Sequence, residues 1–155
     1  MSRTLLLLRH ASAGVALGRT DHARGLSAQG MAEAAAAGRA LADHTPDLVV
    51  CSTAMRAQQT AACLGLATTP VLDPEVYLAS ADGLLERIRQ VPDAVSTLLL
   101  VGHNPGLGEL AAALDDDPRL QRGFPTAALA VFAVGDGAWA EVRTGRLVDL
   151  VTPGS

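Results

Sequence analysis

The chain has few aromatic residues, little charge and almost no cysteine. Of its 155 residues only 3% are aromatic, namely one Trp, one Tyr and two Phe, and 18% are charged. Nucleic-acid binding draws on clustered Lys and Arg, and with a net charge of −4 and no such cluster the sequence excludes a phosphate-backbone binder. Two cysteines, Cys51 and Cys63, lie on either side of a predicted helix. They read as reduced packing thiols rather than a disulfide. No apolar run reaches the length of a membrane span, and the run behind the Met-Ser-Arg start is too short for a signal peptide. These absences predict a cytoplasmic protein with no nucleic-acid and no membrane partner. What is abundant is Ala, Leu and Val, within a hydrophobic content of 49%. That composition suits helices packed closely on a sheet, and the length suits one domain over 1–155. No helix face reads as an exposed apolar interface, so a monomer is expected.

The stretch "TLLLLRHASA" sets the architecture. Leu5 to Leu8 form a continuous apolar run, the mark of a strand buried on both faces of a parallel sheet. Such a strand carries no charge inside. Arg9 and His10 therefore fall at its carboxyl end, followed by the small residues Ala11, Ser12, Ala13 and Gly14. Open α/β sheets bind their ligands at this edge. Next comes "GLSAQGMAEAAAAGRALADHT", in which Ser27 caps a helix running to about His44. "PDLVVCS" reads as a second strand, "TAMRAQQTAACLGL" as a second helix and "TPVLDP" as a third strand. "SADGLLERIRQV" gives a third helix capped by Ser80 or Asp82, "STLLLVGHNPG" a fourth strand with its exit loop, and "LGELAAALDD" a fourth helix. From Ala127 a Gly-Asp-Gly turn between apolar runs signals an antiparallel hairpin. The alternation predicts an α/β three-layer sandwich: a mostly parallel central sheet flanked by helices, with a C-terminal antiparallel hairpin.

Three strand exits carry unusual polar residues: Arg9 and His10, then Ser52 and Arg56, then His103 and Asn104. Topology brings them to one edge. Arginine repels a cation and no carboxylate cluster joins them, so an oxyanion fits better than a metal. The guanidinium fork matches a phosphate, and helix amino termini after Ser52 and after Pro105 add backbone donors. A neutral histidine can attack phosphorus while the arginines hold the charge on the transferring oxygens. Nearby arginines are expected to keep His10 neutral, whereas His103 can carry a proton and serve as a donor. Other polar features read as structural. The acidic run Asp115 to Asp117 at a helix end is solvated rather than a cation site, and His22 and His44 are surface residues. "VGHNPGLG" lacks the lysine and spacing of a nucleotide P-loop. Asp21 is read as orienting Arg24 or capping its segment.

Four segments together resemble the histidine phosphatase superfamily, and within it the small SixA-type phosphohistidine phosphatases. "LLRHASA" is similar to the family's Arg-His signature and "DHARGLSAQG" to its Asp-x-x-Arg-x-Leu-[Ser/Thr]-x-x-Gly segment. "CSTAMRAQQTA" is similar to its Ser-x-x-x-Arg-x-x-Gln-Thr block and "VGHNPGL" to its second-histidine block. They span residues 3 to about 110 in the family's order. The resemblance implies the histidine phosphatase, or phosphoglycerate mutase-like, fold and a phosphatase that needs no metal and no cofactor. It makes His10 the phosphorylated nucleophile, Arg9, Arg56 and His103 the phosphate pocket, and Arg24 a further contact. Ser52 and Asn104 are added as phosphate ligands from their place at the strand exits.

Ala11 stands where wider members carry Gly, a small change that SixA-like members share. Larger members also carry insertions that cover the site and supply an acid, and a chain of this length is expected to leave the site open. Glu75, in "LDPEVYLAS", falls where the resemblance places that acid. The implied partner is a phosphohistidine-bearing protein such as a phosphotransfer or phosphocarrier domain. A protonated imidazole leaves phosphorus readily, whereas an alkyl phosphate demands a well-placed acid. The alternatives are a small-molecule phosphomonoesterase using Glu75 and, from another class, a non-catalytic module that binds phosphoproteins in the same pocket.

Overall fold

Leucines at consecutive positions of one strand must cover both faces of the sheet, and in the computed structural model, which describes residues 2–15 and 17–153, they do. Leu5, Leu6, Leu7 and Leu8 of β1 (Arg3–Arg9) are all fully buried. Leu5 and Leu7 join one core cluster and Leu6 and Leu8 the other. The sheet also contains β2 (Leu48–Ser52), β3 (Val71–Asp73), β4 (Thr97–Gly102), β5 (Leu129–Gly135) and β6 (Arg146–Val151). Their order is β3-β2-β4-β1-β5-β6. The first four of that order run parallel, β5 pairs antiparallel with β1, and β6 pairs antiparallel with β5.

Helices cover both faces. Ala37 of α1 (Ala28–Ala40) and Ala57 and Ala61 of α2 (Met55–Cys63) pack on Leu6, Leu8, Val49 and Val101. On the other face α3 (Ala81–Arg89), α4 (Gly106–Leu114) and the short α5 (Pro118–Gln121) bring Leu84, Ile88, Leu107, Leu110 and Leu120 onto Leu5, Leu7, Val50 and Leu100. Ser27 accepts a hydrogen bond from Gly30 N at the start of α1, and Ser80, rather than Asp82, caps α3 through Gly83 N. From β1 the chain crosses through α1 to β2 on one side, and from β4 through α4 to β5 on the other. The adjacent β4 and β1 are therefore a topological switch point, and open α/β sheets bind their ligands at such a point beyond the carboxyl ends of the strands.

The C-terminal pair is antiparallel as the sequence predicts, and its connection is longer than the Gly-Asp-Gly turn alone. The second strand begins only at Arg146, and the connection holds a 3-10 turn at Trp139–Glu141. Trp139 is fully buried, donates Nε1–H to Val95 O at 2.8 Å and lies 5.7 Å from the Arg3 guanidinium carbon. Burying the one indole outweighs continued pairing of the strands. The acidic run is put to structural use: Asp115 accepts from Leu147 N, and Asp117 caps α5 and pairs with Arg119 at 3.0 Å. Both cysteines are free, and burial pushes the Cys51 thiol up to about 12. Among the described residues no helix is long and apolar enough to cross a membrane.

Candidate active site

Strand register fixes the two histidines side by side. Arg9 pairs with Gly102 across β1 and β4, His10 N donates to Gly102 O at 3.0 Å, and His103 follows directly. The rings stand 5.0 Å apart between centroids, tilted by 54°. His10 is 7% exposed and His103 3%. Nδ1 of His10 lies 2.8 Å from the Ala11 carbonyl, which can only accept, so Nδ1 bears the proton and Nε2 the lone pair. Burial is the main cause that lowers the His10 pKa to about 4; the Ala11 bond opposes it, and Arg56, Arg9 and Arg24 add to it. His103 falls to about 3, through burial first and then the neighbouring His10 and Arg56. Both rings are neutral at neutral pH. In the free protein, burial beside guanidinium groups therefore disfavours the protonated form of His103 that the sequence reading allows.

Three arginines converge on this pair. Arg56, on the first turn of α2 and 3% exposed, donates Nη1 to Asp21 O at 2.8 Å and Nη2 to Asp21 Oδ2 at 3.0 Å. Arg24 pairs with Asp21 Oδ1 at 3.3 Å, and Arg9 donates Nη1 to Phe124 O at 3.1 Å. Nε of Arg9, Arg24 and Arg56 and Nδ1 of His103 are buried with no hydrogen-bond partner among the described residues. Buried nitrogens of this kind are costly unless an acceptor meets them. Carried by the three arginines whose charges act on His10 and by the ring beside it, they suit an anion with several acceptor oxygens. A metal ion fits poorly among three guanidinium groups, and the described residues hold no group of three or more His, Cys, Asp or Glu placed for one.

Four of the polar residues in the "STAMRAQQT" block tie the end of β2 and α2 to other segments around the site. Ser52 reaches His103, Arg56 reaches Asp21, Gln59 Oε1 accepts from Leu26 N, and Thr60 Oγ1 accepts from Ala11 N while donating to Arg56 O. Two motif glycines permit close approach. A Cβ on Gly30 would run into the Ser12 carbonyl, and one on Gly106 into the Ala79 carbonyl.

Arg9, His10, Arg24, Arg56 and His103 therefore meet, and three other candidates sit differently. Ser52, expected against phosphate, is fully buried, with its hydroxyl engaged by His103 Nε2 at 2.7 Å and Ala54 N at 3.2 Å. Asn104 spends its amide on the fold, donating to Phe124 O and accepting from Gly108 N. Glu75 is exposed on a 3-10 turn at Pro74–Val76, with its backbone N–H donated to Asp73 Oδ1.

Asp21 does more than orient Arg24. It also binds Arg56 and, at 2.6 Å, accepts from the Tyr77 hydroxyl; Tyr77 first and Arg56 after it hold its carboxyl below the usual range. Tyr77 stands edge-on to His103 at 5.4 Å and to His22 at 4.8 Å, and His22 Nε2 contacts Thr53 Oγ1 at 2.8 Å. His22 is exposed as expected, yet it belongs to the rim of this site. The one sequence signal for Tyr77 is that it is the single tyrosine of an aromatic-poor chain.

Comparison with known proteins agrees with this geometry. Residues 5–90 match the family model of the histidine phosphatase superfamily, branch 1. An uncharacterized protein of Mycobacterium tuberculosis, Rv1276c, is 38% identical over 148 residues, covering 89% of this chain and 93% of its own length. A protein of Nakamurella multipartitia assigned as the phosphohistidine phosphatase SixA superposes with a TM-score of 0.90 at 34% identity, over 100% of this chain and 98% of that one. One from Agrobacterium tumefaciens, assigned likewise, gives 0.84 at 33% identity over 99% and 100%. Motif blocks, a mixed six-stranded sheet and an arginine-lined histidine pair agree: the chain belongs to the histidine phosphatase superfamily, is of the SixA type within it, and is a phosphatase.

Proposed function

We propose that this phosphatase removes the phosphoryl group of phosphohistidine displayed on a protein, through a covalent phosphohistidine formed on His10. The observation that carries the reading is the His10 ring. Its Nδ1 is committed to the Ala11 carbonyl, its Nε2 holds a lone pair, and the three arginines whose charges act on it and the His103 ring beside it all carry buried nitrogens without a partner. Nε2 attacks phosphorus as the bond to the leaving imidazole breaks, and that imidazole departs carrying a proton. The phosphorylated His10 keeps Nδ1–H on Ala11 O, which stabilises a cationic ring and makes it a good leaving group in turn. Water then attacks phosphorus, its proton passes to solvent, and inorganic phosphate and neutral His10 are restored. The arginines hold the equatorial oxygens in both steps.

Leaving-group chemistry supports phosphohistidine over an alkyl ester, because the candidate acid Glu75 lies exposed on its turn. The similarity to proteins assigned as SixA phosphohistidine phosphatases supports it too. The test is to incubate the protein with a phosphorylated histidine phosphocarrier beside a panel of small phosphate esters, with His10→Ala as control. Preference for the phosphocarrier is expected. Preference for esters would replace this reading by a small-molecule phosphomonoesterase, and no turnover above the control by a phosphoprotein-binding module.

A further inference from the structure

Ser52 is fully buried at the end of β2, yet a buried hydroxyl must place its single proton somewhere. Two groups lie within reach of Oγ. Ala54 N is a donor and occupies a lone pair at 3.2 Å. The other is His103 Nε2 at 2.7 Å, the one neighbour among the described residues that can accept. Were His103 to donate from Nε2 instead, the Ser52 proton would be buried without an acceptor, and Nδ1 would be a lone pair among arginines ready to repel an anion. We infer that Ser52 is a positioning residue that locks His103 in the Nδ1–H tautomer, so that the ring presents a donor to a phosphoryl oxygen.

The two nitrogens of an imidazole point in roughly opposite directions, and with Nε2 tied to Ser52, Nδ1 is the atom without a partner in the protein. His10 is held in the same tautomer by Ala11 but faces the site with the opposite atom. One neutral ring thus offers a lone pair and its neighbour a proton, 5.0 Å apart between centroids. The low His103 pKa sharpens the need for the lock, since a ring that does not take a second proton donates from Nδ1 in one tautomer and not in the other.

The inference rests on the reading of His103 as a phosphate ligand, but its first test does not involve turnover. In 15N-labelled protein without substrate, two-bond proton–nitrogen correlation spectra distinguish pyrrole-type from pyridine-type ring nitrogens, with His103→Asn providing the assignment. Wild type is expected to show a protonated Nδ1 and a pyridine-type Nε2 at His103 at neutral pH; a protonated Nε2 overturns the inference without any variant having to fold. In Ser52→Ala the two nitrogens are expected to move toward averaged shifts, and kcat/KM on a phosphorylated phosphocarrier to fall about tenfold. Ser52→Thr, which keeps the hydroxyl, is expected to restore the wild-type pattern. A Ser52→Ala protein that retains a single Nδ1–H tautomer also overturns it. Nδ1–H in wild type with no phosphatase activity on any substrate would instead sink the functional reading and leave the tautomer lock standing.

Discussion

Arg56 donates from Nη1 to the Asp21 carbonyl and from Nη2 to its carboxylate, which orients the guanidinium and leaves its buried Nε without a partner. Arg56→Lys is expected to remain poor, with a loss of about 10²-fold in kcat, because an ammonium cannot offer two parallel bonds. Steady-state kinetics on the phosphocarrier checks this, and near-normal turnover would refute the bidentate role. Protonation of the attacking ring should set the acid limit of activity. With the His10 pKa lowered to about 4, kcat/KM corrected for substrate ionisation should hold as pH falls through ~6.5 and decline only near 4. An acid limb at ~6.5 would mean a solvated His10. Glu75→Gln is expected to change phosphohistidine turnover little; a much larger loss on alkyl esters would mark Glu75 as a proton donor to their leaving groups, and equal losses on both would count against that role. Arg9, His10, Arg56 and His103 were legible in the sequence because strand exits and motif spacing both point to them, and Arg24 through the resemblance alone. The link from Asp21 through Tyr77 to His22 was not, since it exists only where the 3-10 turns at Asp21–Ala23 and Pro74–Val76 meet.

At the scale of elements, α2 is the part that aligns the others. Thr60 links the Arg56 carbonyl to the Ala11 amide beside His10. Thr60→Val keeps the shape but leaves the buried Ala11 N–H without its acceptor, at a cost of about 1–3 kcal/mol in chemical denaturation. Activity should fall along with stability, because the loop that bonds His10 Nδ1 is no longer anchored. Unchanged stability would show that this bond matters little. Periodicity and capping made α1 through α4 and the central strands readable, down to Ser27 as a cap. The C-terminal antiparallel pair was legible but the start of its second strand was not, because period-two alternation in "AWAEV" looks like a strand, while the bulk of Trp139 is resolved only by packing against Val95 and Arg3. The four-residue α5 was too short to announce itself by periodicity.

For the molecule as a whole, two buried neutral histidines make stability depend on pH. Both folded pKa values lie below the unfolded ~6.5, so as pH drops below ~6.5 the unfolded chain takes up protons that the folded one refuses. Stability is fully present above ~6.5 and declines as pH falls toward 4, by up to about 1.4 kcal/mol per pH unit for each histidine. Carboxylates begin to titrate mainly below ~4.5, so the interval above that isolates the histidines. His10→Asn with His103→Asn is expected to flatten urea-derived stability across it, and an unchanged slope would place the proton uptake elsewhere. The central claim is covalent transfer to His10. Rapid quench with phosphorus-labelled phosphocarrier should trap one acid-labile, alkali-stable phosphate on His10 in wild type and none in His10→Ala, at a rate indifferent to chelator. Full turnover without His10, or activity lost to chelator and restored by a divalent metal, would contradict it.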